Sequence, residues 1–372
     1  MLYMNSNFKI AIILINYKDY ARRFLKECAD SLSKVNYPKE LLKIFIVDNE
    51  SSEQTRKDIM DLCPQFDFGM GETDRIQAGI VVNAENVGFG AANNAGIERA
   101  IQQGYDYFFM LNMDTTVDPN FLIEALKIYK SDPKIGLIQS RLMLHQQPEL
   151  INSLGNSLHF LGFGFSDKYK EKFSELNIEK ESDQIVYPSG AAMLVSKQVF
   201  EKIGEFTEEY FMYHDDLEWG WKTKLYGLKN VIAYKSVVYH KFEFIKSIKQ
   251  FFWMERNRMI TTLVCYHWAT LILLFPAFVS YELGLFGFSL CNGWFKQRLK
   301  VYKWFFSAKN LKLVWNWRKK VQKKRIVKER KVVWNFTGKV LYQGDFENPI
   351  LKYIANPVFN FYWQVVKRII FW

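Results

Sequence analysis

The chain has 372 residues, 24% of them charged, and a formal net charge of +11. That length exceeds the size at which one core keeps growing, so a large catalytic domain with an appendage is expected over one compact unit. Residues 241–372 hold 24 Lys and Arg against 6 Asp and Glu, a net of +18, which leaves −7 on the first 240. Long apolar stretches run through the basic part, which suits a lipid surface better than a phosphate backbone and argues against a nucleic-acid binder. Cys28, Cys63, Cys265 and Cys291 lie far apart with no paired metal spacing. A disulfide framework and a zinc knuckle are thereby disfavoured, and a reducing cytoplasm fits.

In chain order, Ile10 to Ile15 is too short for a signal-peptide core and lacks a small-residue cleavage site, so it reads as the first strand. A helix from about Tyr20 to Ser33, a strand over Ile44 to Val47, a helix near Glu53 to Leu62 and a strand over Ile80 to Val82 follow. The series continues with a helix from Ala91 to Gln103, a strand over Phe108 to Leu111 and a helix opened by Asp118-Pro119. Such alternation predicts an α/β fold with a mostly parallel sheet. From Gln139 to Tyr187 the periodicity weakens and Gly, Ser and Asn rise, which predicts irregular loops. Ala191 to Val195 then reads as a strand, Asp216 to Leu225 as a helix, and Val231 to Tyr239 as a strand ending at His240.

The tail differs in kind. Leu263 to Leu274 is nearly all apolar, Pro276 is expected to interrupt a helix, and Phe278 to Leu290 is apolar again apart from Glu282 and the serines Ser280 and Ser289. As one span it reaches the roughly 20 residues that cross a bilayer, yet His267, Pro276 and Glu282 make a hairpin or re-entrant pair equally plausible. Trp294, Lys296, Arg298, Lys300, Lys303 and Trp304 follow, then Arg318-Lys319-Lys320 and Lys323-Lys324-Arg325. Basic residues attract anionic headgroups and Trp prefers the interfacial layer, so the region from 246 onward is read as membrane-associating, with residues 1–245 as the catalytic domain. Positive charge beside an apolar segment points to the cytoplasmic face of the inner membrane, with peripheral or monotopic attachment.

Five fragments carry chemistry. Asp48-Asn49 ends the second strand, where a carboxylate can accept hydrogen bonds from a pyrimidine imide or a ribose; Asp and Asn are also ordinary turn residues. In Asn86-Val87-Gly88-Phe89-Gly90-Ala91-Ala92-Asn93-Asn94-Ala95-Gly96 the small residues at a helix start let backbone approach a ribose or diphosphate, or simply permit close helix-to-sheet packing. Asn112 and Asp114 follow a strand end, where oxygen ligands hold a hard cation that bridges a diphosphate; Asp118 is the better cap candidate for the next helix. His214, Asp215, Asp216 and Glu218 crowd acids into one turn, as a base taking a hydroxyl proton requires, though a helix dipole also favours them. His240 ends a strand, and a neutral imidazole there could complete a cation's coordination.

Taken in this order, with Ile15-Asn16-Tyr17 and Ser189-Gly190-Ala191-Ala192-Met193, the fragments resemble the family 2 glycosyltransferases of GT-A fold, particularly the rhamnosyltransferase-like branch of bacterial polysaccharide assembly. The resemblance covers about residues 8 to 260. It implies that Asn16, Asp48, Asn49, Asn86, Gly88, Asn94, Asn112 and Met113 cradle a UDP- or dTDP-linked sugar, and that Asp114 and His240 bind Mg2+ or Mn2+. It also implies that Asp216, beside Asp215, is the catalytic base, and that Ser189, Gly190, Ala191 and Glu218 face a glycan or polyprenyl-linked acceptor. Some positions depart from the common pattern. Asp215-Asp216 is followed by Glu218-Trp219 and Lys222 where relatives carry Asp-Leu and then Arg, and Asn112 replaces the first Asp of an Asp-x-Asp motif. Gln250 is followed by Phe251-Phe252-Trp253-Met254, without the Gln-x-x-Arg-Trp signature of processive synthases, so one sugar per encounter is expected. The resulting expectation is an inverting single displacement transferring rhamnose or another hexose. Two rivals stand beside it. In a nicotinamide oxidoreductase, Asn93 would occupy the third Gly of the pattern begun by Gly88-Phe89-Gly90, and that pattern follows the third strand and not the first. The second rival is a catalytically idle membrane scaffold.

Overall fold

The computed structural model describes residues 8–69, 74–242, 250–340, 349 and 351–372. The strands are β1 (Ile10–Tyr17), β2 (Leu42–Asn49), β3 (Phe66–Asp67), β4 (Ile76–Asn83), β5 (Tyr107–Leu111), β6 (Thr115–Val117), β7 (Ile135–Leu144), β8 (Ile151–Ser153), β9 (Asn156–Leu158), β10 (Gly164–Ser166), β11 (Ser182–Ile185), β12 (Ala192–Ser196) and β13 (Lys229–His240). The helices between them are α1 (Tyr20–Leu32), α2 (Glu53–Leu62), α3 (Phe89–Gln102), α4 (Phe121–Ser131), α5 (Lys197–Ile203) and α6 (Asp215–Leu225). Beyond them come α7 (Phe251–Cys265), α8 (Trp268–Cys291), α9 (Phe295–Phe305), α10 (Ala308–Lys324), α11 (Glu329–Val333) and α12 (Asn356–Ile369).

The chain forms two compact units, and they do not meet at a single point in sequence. The first comprises Met1–Gly155, Ser166–Phe211 and Lys229–Phe242; the second comprises Asn156–Phe165, Met212–Leu228 and Glu243–Trp372. The expected boundary at 245/246 lies outside the described residues, and α6 belongs with the C-terminal helices. Its aromatic side chains explain this: Trp221 sits 4.7 Å from the ring of Tyr266 and 4.9 Å from that of Phe336, edge to face.

In the first unit one sheet runs β11-β13-β7-β12-β5-β1-β2-β4-β3. Following the pairings, β13, β7, β5, β1, β2, β4 and β3 share one direction, while β12 and β11 oppose it. The mostly parallel sheet follows from the near-continuous apolar strands, since helices cover both faces; Ile10, Ile12, Leu14, Ile44 and Ile46 are all fully buried. The connection β1-α1-β2 winds one way from the centre, whereas β5 returns to the other side of β1. That reversal opens a crevice at the carboxyl ends of β1 and β5, where ligands of open α/β sheets bind.

Local signals place several helices closely. Ser52 caps α2, its hydroxyl accepting from Thr55 N at 3.1 Å while Thr55 Oγ1 accepts from Ser52 N at 2.8 Å. Pro119 does not open α4; Asn120 precedes it, and Asp118 instead forms a turn, its carboxylate accepting from Asn120 N at 2.8 Å. The stretch expected to be irregular takes in the second half of a ten-residue strand, β7, and four short ones.

In the second unit α8 is one continuous helix of 24 residues with Pro276 inside it, so the expected interruption does not occur. Pro276 removes a single backbone bond, and the helix is otherwise fastened along one face. Glu282 on α8 pairs with Arg258 on α7 at 2.9 Å and with Arg298 on α9, and Glu255 on α7 pairs with the same two arginines at 3.0 and 2.6 Å. The phenol of Tyr302 joins them, donating to Glu282 at 3.1 Å. Among the described residues α8 is the one helix long and apolar enough to cross a membrane.

Candidate active site

At the carboxyl ends of β1 and β2 the amide of Asn16 donates to Asp48 Oδ1 at 2.7 Å, and the hydroxyl of Thr55 donates to Asp48 Oδ2 at 2.6 Å. Asn16 Oδ1 also accepts from Ala21 N at 2.8 Å, which fixes the start of α1. Asn16 and Asp48 are both fully buried. Asp48 therefore shapes the lip through its neighbours, with both oxygens already engaged.

Asn49 links this lip to the glycine segment. Its amide donates to Asn86 Oδ1 at 3.1 Å and to the Gly88 carbonyl at 3.3 Å, and its Oδ1 accepts from Asn83 at 3.0 Å. Gly88, at φ +88°, lies so close to Phe211 that a Cβ would fall 2.2 Å from that residue's carbonyl oxygen. The sequence needs glycine there for both reasons. Asn94 exchanges two hydrogen bonds of 3.0 Å with the backbone of Phe206, so its side chain anchors α3. Met113 is fully buried in the core. Asn86 and Asn112 remain partly exposed at the lip, together with the N-terminus of α3.

The second half of the lip is set by β12 and β13. Asn112 N donates to the Ala191 carbonyl at 3.0 Å, which brings Ser189, Gly190 and Ala191 beside the Asn112–Asp114 turn. The antiparallel pairing of Thr115 with His240, and the bond from Lys241 N to the Asp114 carbonyl at 2.8 Å, bring Asp114 and His240 together across 126 positions of sequence. Ser189 N is held by Gln139 Oε1 at 2.7 Å.

Asp114 Oδ1 is buried, accepts no hydrogen bond among the described residues, and faces His240 Nε2 at 3.2 Å. On the other edge of the ring, Nδ1 lies 2.9 Å from Asn152 Oδ1 and donates to it, so Nε2 is the atom left to face the carboxylate, through a second N–H or as a lone pair toward a cation. Two acceptors at that spacing repel unless a proton or a cation stands between them. Burial alone would raise the Asp114 pKa, but with a proton on Nε2 the hydrogen bond and charge of the His240 ring, and then the Tyr20 hydroxyl, outweigh it and hold the carboxyl below its usual range. Burial and the charge of Asp114 push the Tyr20 hydroxyl up, so it stays a donor. The donor set, one carboxylate oxygen and one imidazole nitrogen, suits Mg2+ or Mn2+ with its remaining ligands from phosphate and water. Among the described residues no group of three or more His, Cys, Asp or Glu gathers that could hold a metal.

Asp215 and Asp216 open α6 in the second unit. Tyr213 and His214 ahead of them are consecutive non-glycine residues in the left-handed region, at φ 65° and 69°. Asn257 on α7 holds this strained turn, its amide donating to the carbonyls of Met212 and Tyr213 at 2.8 Å each. Asp215 is buried, and burial followed by the charge of Asp216 pushes its carboxyl well above the usual range. Asp216 is more open and accepts from Leu217 N at 2.8 Å. Glu218 is buried and ion-paired with Lys222 at 3.0 Å. Thr55, Tyr20, Asn152 and Asn257 escape the sequence reading, because each acts through a partner outside its own element, 88 positions away for Asn152 and 45 for Asn257.

The profile described as Glycosyl transferase family 2 matches residues 10–204, just over half of the chain. Among curated proteins, the low-salt glycan biosynthesis hexosyltransferase Agl10 of Haloferax volcanii is 22% identical over 217 residues, 58% of this chain and 61% of that protein. The chain thus spans less than two thirds of that relative's length. Among solved structures, GalNAc-T7 with UDP, GalNAc and Mn2+ superposes with a TM-score of 0.53 at 13% identity, covering 69% of this chain and 48% of that one. The mannosyltransferase PcManGT from Pyrobaculum calidifontis, in complex with GDP-Man and Mn2+, gives 0.48 at 13% identity, covering 70% and 64%. At such identity the first likeness bears on the fold alone, and the second adds no argument. With the profile running from β1 through α5 over a sheet of GT-A architecture, the chain belongs to glycosyl transferase family 2.

Proposed function

We propose that the chain transfers a hexose from a nucleoside diphosphate sugar to a hydroxyl of a glycan or polyprenyl-linked glycan, with inversion and one sugar per encounter. The observation that carries this reading is the buried Asp114 carboxylate facing the Nε2 of a histidine whose Nδ1 is already committed to Asn152. A divalent cation held by Asp114 and His240 would offset the charge that develops on the departing nucleoside diphosphate. The chain's own residues do the rest. The Asn49–Asn86–Gly88 loop and the N-terminus of α3 beyond Phe89, whose own N–H donates to the Phe211 carbonyl at 2.7 Å, receive the ribose and diphosphate. Asp216 takes the proton of the acceptor hydroxyl as that oxygen bonds to the anomeric carbon and the bond from this carbon to the diphosphate oxygen breaks. Asp215, pushed toward its protonated form, is the poorer base and serves the turn. The hexosyltransferase named among the curated relatives supports a hexose, and UDP or dTDP remains the expected carrier.

The same reading places the chain on the cytoplasmic face of the inner membrane. Ile272, Phe275, Val279, Leu283, Phe286 and Leu290 recur every three or four residues on α8 and are all exposed, while the Glu282 side is tied to α7 and α9. Such a helix lies in one leaflet with its apolar stripe in lipid, where a polyprenyl-linked acceptor also resides.

Asp216→Asn tests the base. Turnover of nucleotide sugar with a glycan acceptor should fall about a hundred- to ten-thousand-fold with nucleotide affinity unchanged. Wild-type turnover in this variant would remove the assignment. A wild-type chain that binds vesicles but turns over no nucleotide sugar would be an idle scaffold.

A further inference from the structure

We propose that the groove between α7 and α9 is a binding site for a phosphate-bearing saccharide, and that its occupant is the acceptor. The second half of that statement rests on the transferase reading above; the first half does not. Phe252 and Trp253 from α7 and Gln297, Lys300, Lys303 and Trp304 from α9 line the groove, all within the second unit. Its volume of about 670 Å3 falls in the range of small-ligand sites.

The chemistry of the lining selects the ligand. Three aromatic side chains offer flat faces to the C–H surface of a sugar ring. The guanidinium of Arg256, a buried residue, lies 4.5 Å from the ring of Trp253, 5.3 Å from that of Trp304 and 5.4 Å from that of Phe252. Lys300 and Lys303 stand exposed at the mouth. No lining side chain is acidic, and Glu255, the nearby carboxylate on α7, is turned to Arg258 and Arg298. An uncharged sugar would satisfy the rings and leave Lys300 and Lys303 without a role; a phosphate attached to the sugar uses both rings and lysines.

A path of contacts ties this groove to the turn before the proposed base. The Nε and Nη2 atoms of Arg256 donate to Asn257 Oδ1 at 3.0 and 2.7 Å, and the amide of the same Asn257 holds the Met212 and Tyr213 carbonyls. A ligand that shifts the Trp253 and Trp304 rings packed on Arg256 therefore bears, one residue on, upon the left-handed turn that presents Asp215 and Asp216. Substrate occupancy and the setting of the base are joined within one helix, α7.

The test uses the full chain, saturating UDP and Mn2+ to occupy the donor side, and radiolabelled N-acetylglucosamine 1-phosphate as the probe in equilibrium dialysis. The phosphorylated sugar should bind at least tenfold more tightly than N-acetylglucosamine, and more weakly at high salt. The double variant K300E/K303E and the variant Trp304→Leu should each lose at least tenfold in affinity, Trp304→Phe should restore most of it, and UDP affinity should be unchanged in all three. Equal binding of the two sugars, or an affinity for the probe within twofold of wild type in K300E/K303E, would overturn the proposal. So would displacement of the probe by phosphatidylglycerol vesicles together with lost vesicle binding in K300E/K303E, because the groove would then hold a lipid headgroup. Probe binding intact in a chain that turns over no nucleotide sugar would strike the transferase reading and leave the saccharide site standing.

Discussion

His240 can serve as a ligand only if its proton stays on Nδ1, and Asn152 is the residue that keeps it there. Asn152→Ala frees the ring to place its proton on Nε2, facing Asp114. Removing such an orienting partner typically weakens metal affinity about 10–100-fold. Mn2+ titration of UDP-dependent thermal stabilisation should show that loss, with the fold intact; an unchanged Mn2+ midpoint would mean that Asn152 does not set the tautomer. Asp114 and His240 are legible in sequence because each ends an apolar strand. Asn152 and Tyr20 are not. Asn152 meets its histidine across 88 positions, in a stretch whose periodicity is broken, and Tyr20 reads as the first apolar residue of a helix. Asp48 is legible as a strand-end carboxylate, whereas its bonds to Asn16 and Thr55 are a tertiary fact.

At the level of elements, α6 and the turn before it hold two groups that titrate in opposite senses. Burial pushes the His214 imidazole down to about 4, with Arg258 adding to this and the Gly162 carbonyl and Glu255 opposing it. Between that value and the ordinary 6.5 the unfolded chain binds a proton that the folded chain does not, so stability falls as pH drops through this window. A shift of that size corresponds to about 3 kcal/mol. Asp215, raised by burial, works the other way and favours the folded chain at low pH. Urea denaturation at pH 7 and pH 5 should therefore show a smaller pH loss in His214→Asn than in wild type; an identical loss would place the effect elsewhere. Element boundaries were legible where caps are local, as at Ser52 before α2. β7 was not, because Gln139, Ser140 and Arg141 interrupt its apolar run. Gln139 and Ser140 are nonetheless buried, paired with Ser153, Ser189 and Ser236. Polar residues satisfied sideways within a sheet erase the strand signal from a single sequence.

Over the whole chain the charge asymmetry was the most legible feature, and it bears on where the protein resides. If the α8 stripe enters lipid, Phe275→Asp with Leu283→Asp should lower sedimentation with phosphatidylglycerol vesicles severalfold. Raising salt should weaken the wild type through the basic helices. Binding unaffected by both changes would remove the membrane role. The continuity of α8 was not legible: Pro276 and Glu282 argue for a break when only the sequence is seen. In the structure the carboxylate of Glu282 is neutralised by two arginines that the sequence places 24 and 16 positions away.

That clasp has a consequence for how tenaciously the protein is held. A helix tethered along one flank to its own protein by Arg258 and Arg298 cannot be threaded from one side of a bilayer to the other without rupturing the tether. If α8 docks on a bilayer as proposed, the chain should come away in an alkaline carbonate wash with its fold intact, as a lodger on the surface that can leave and return.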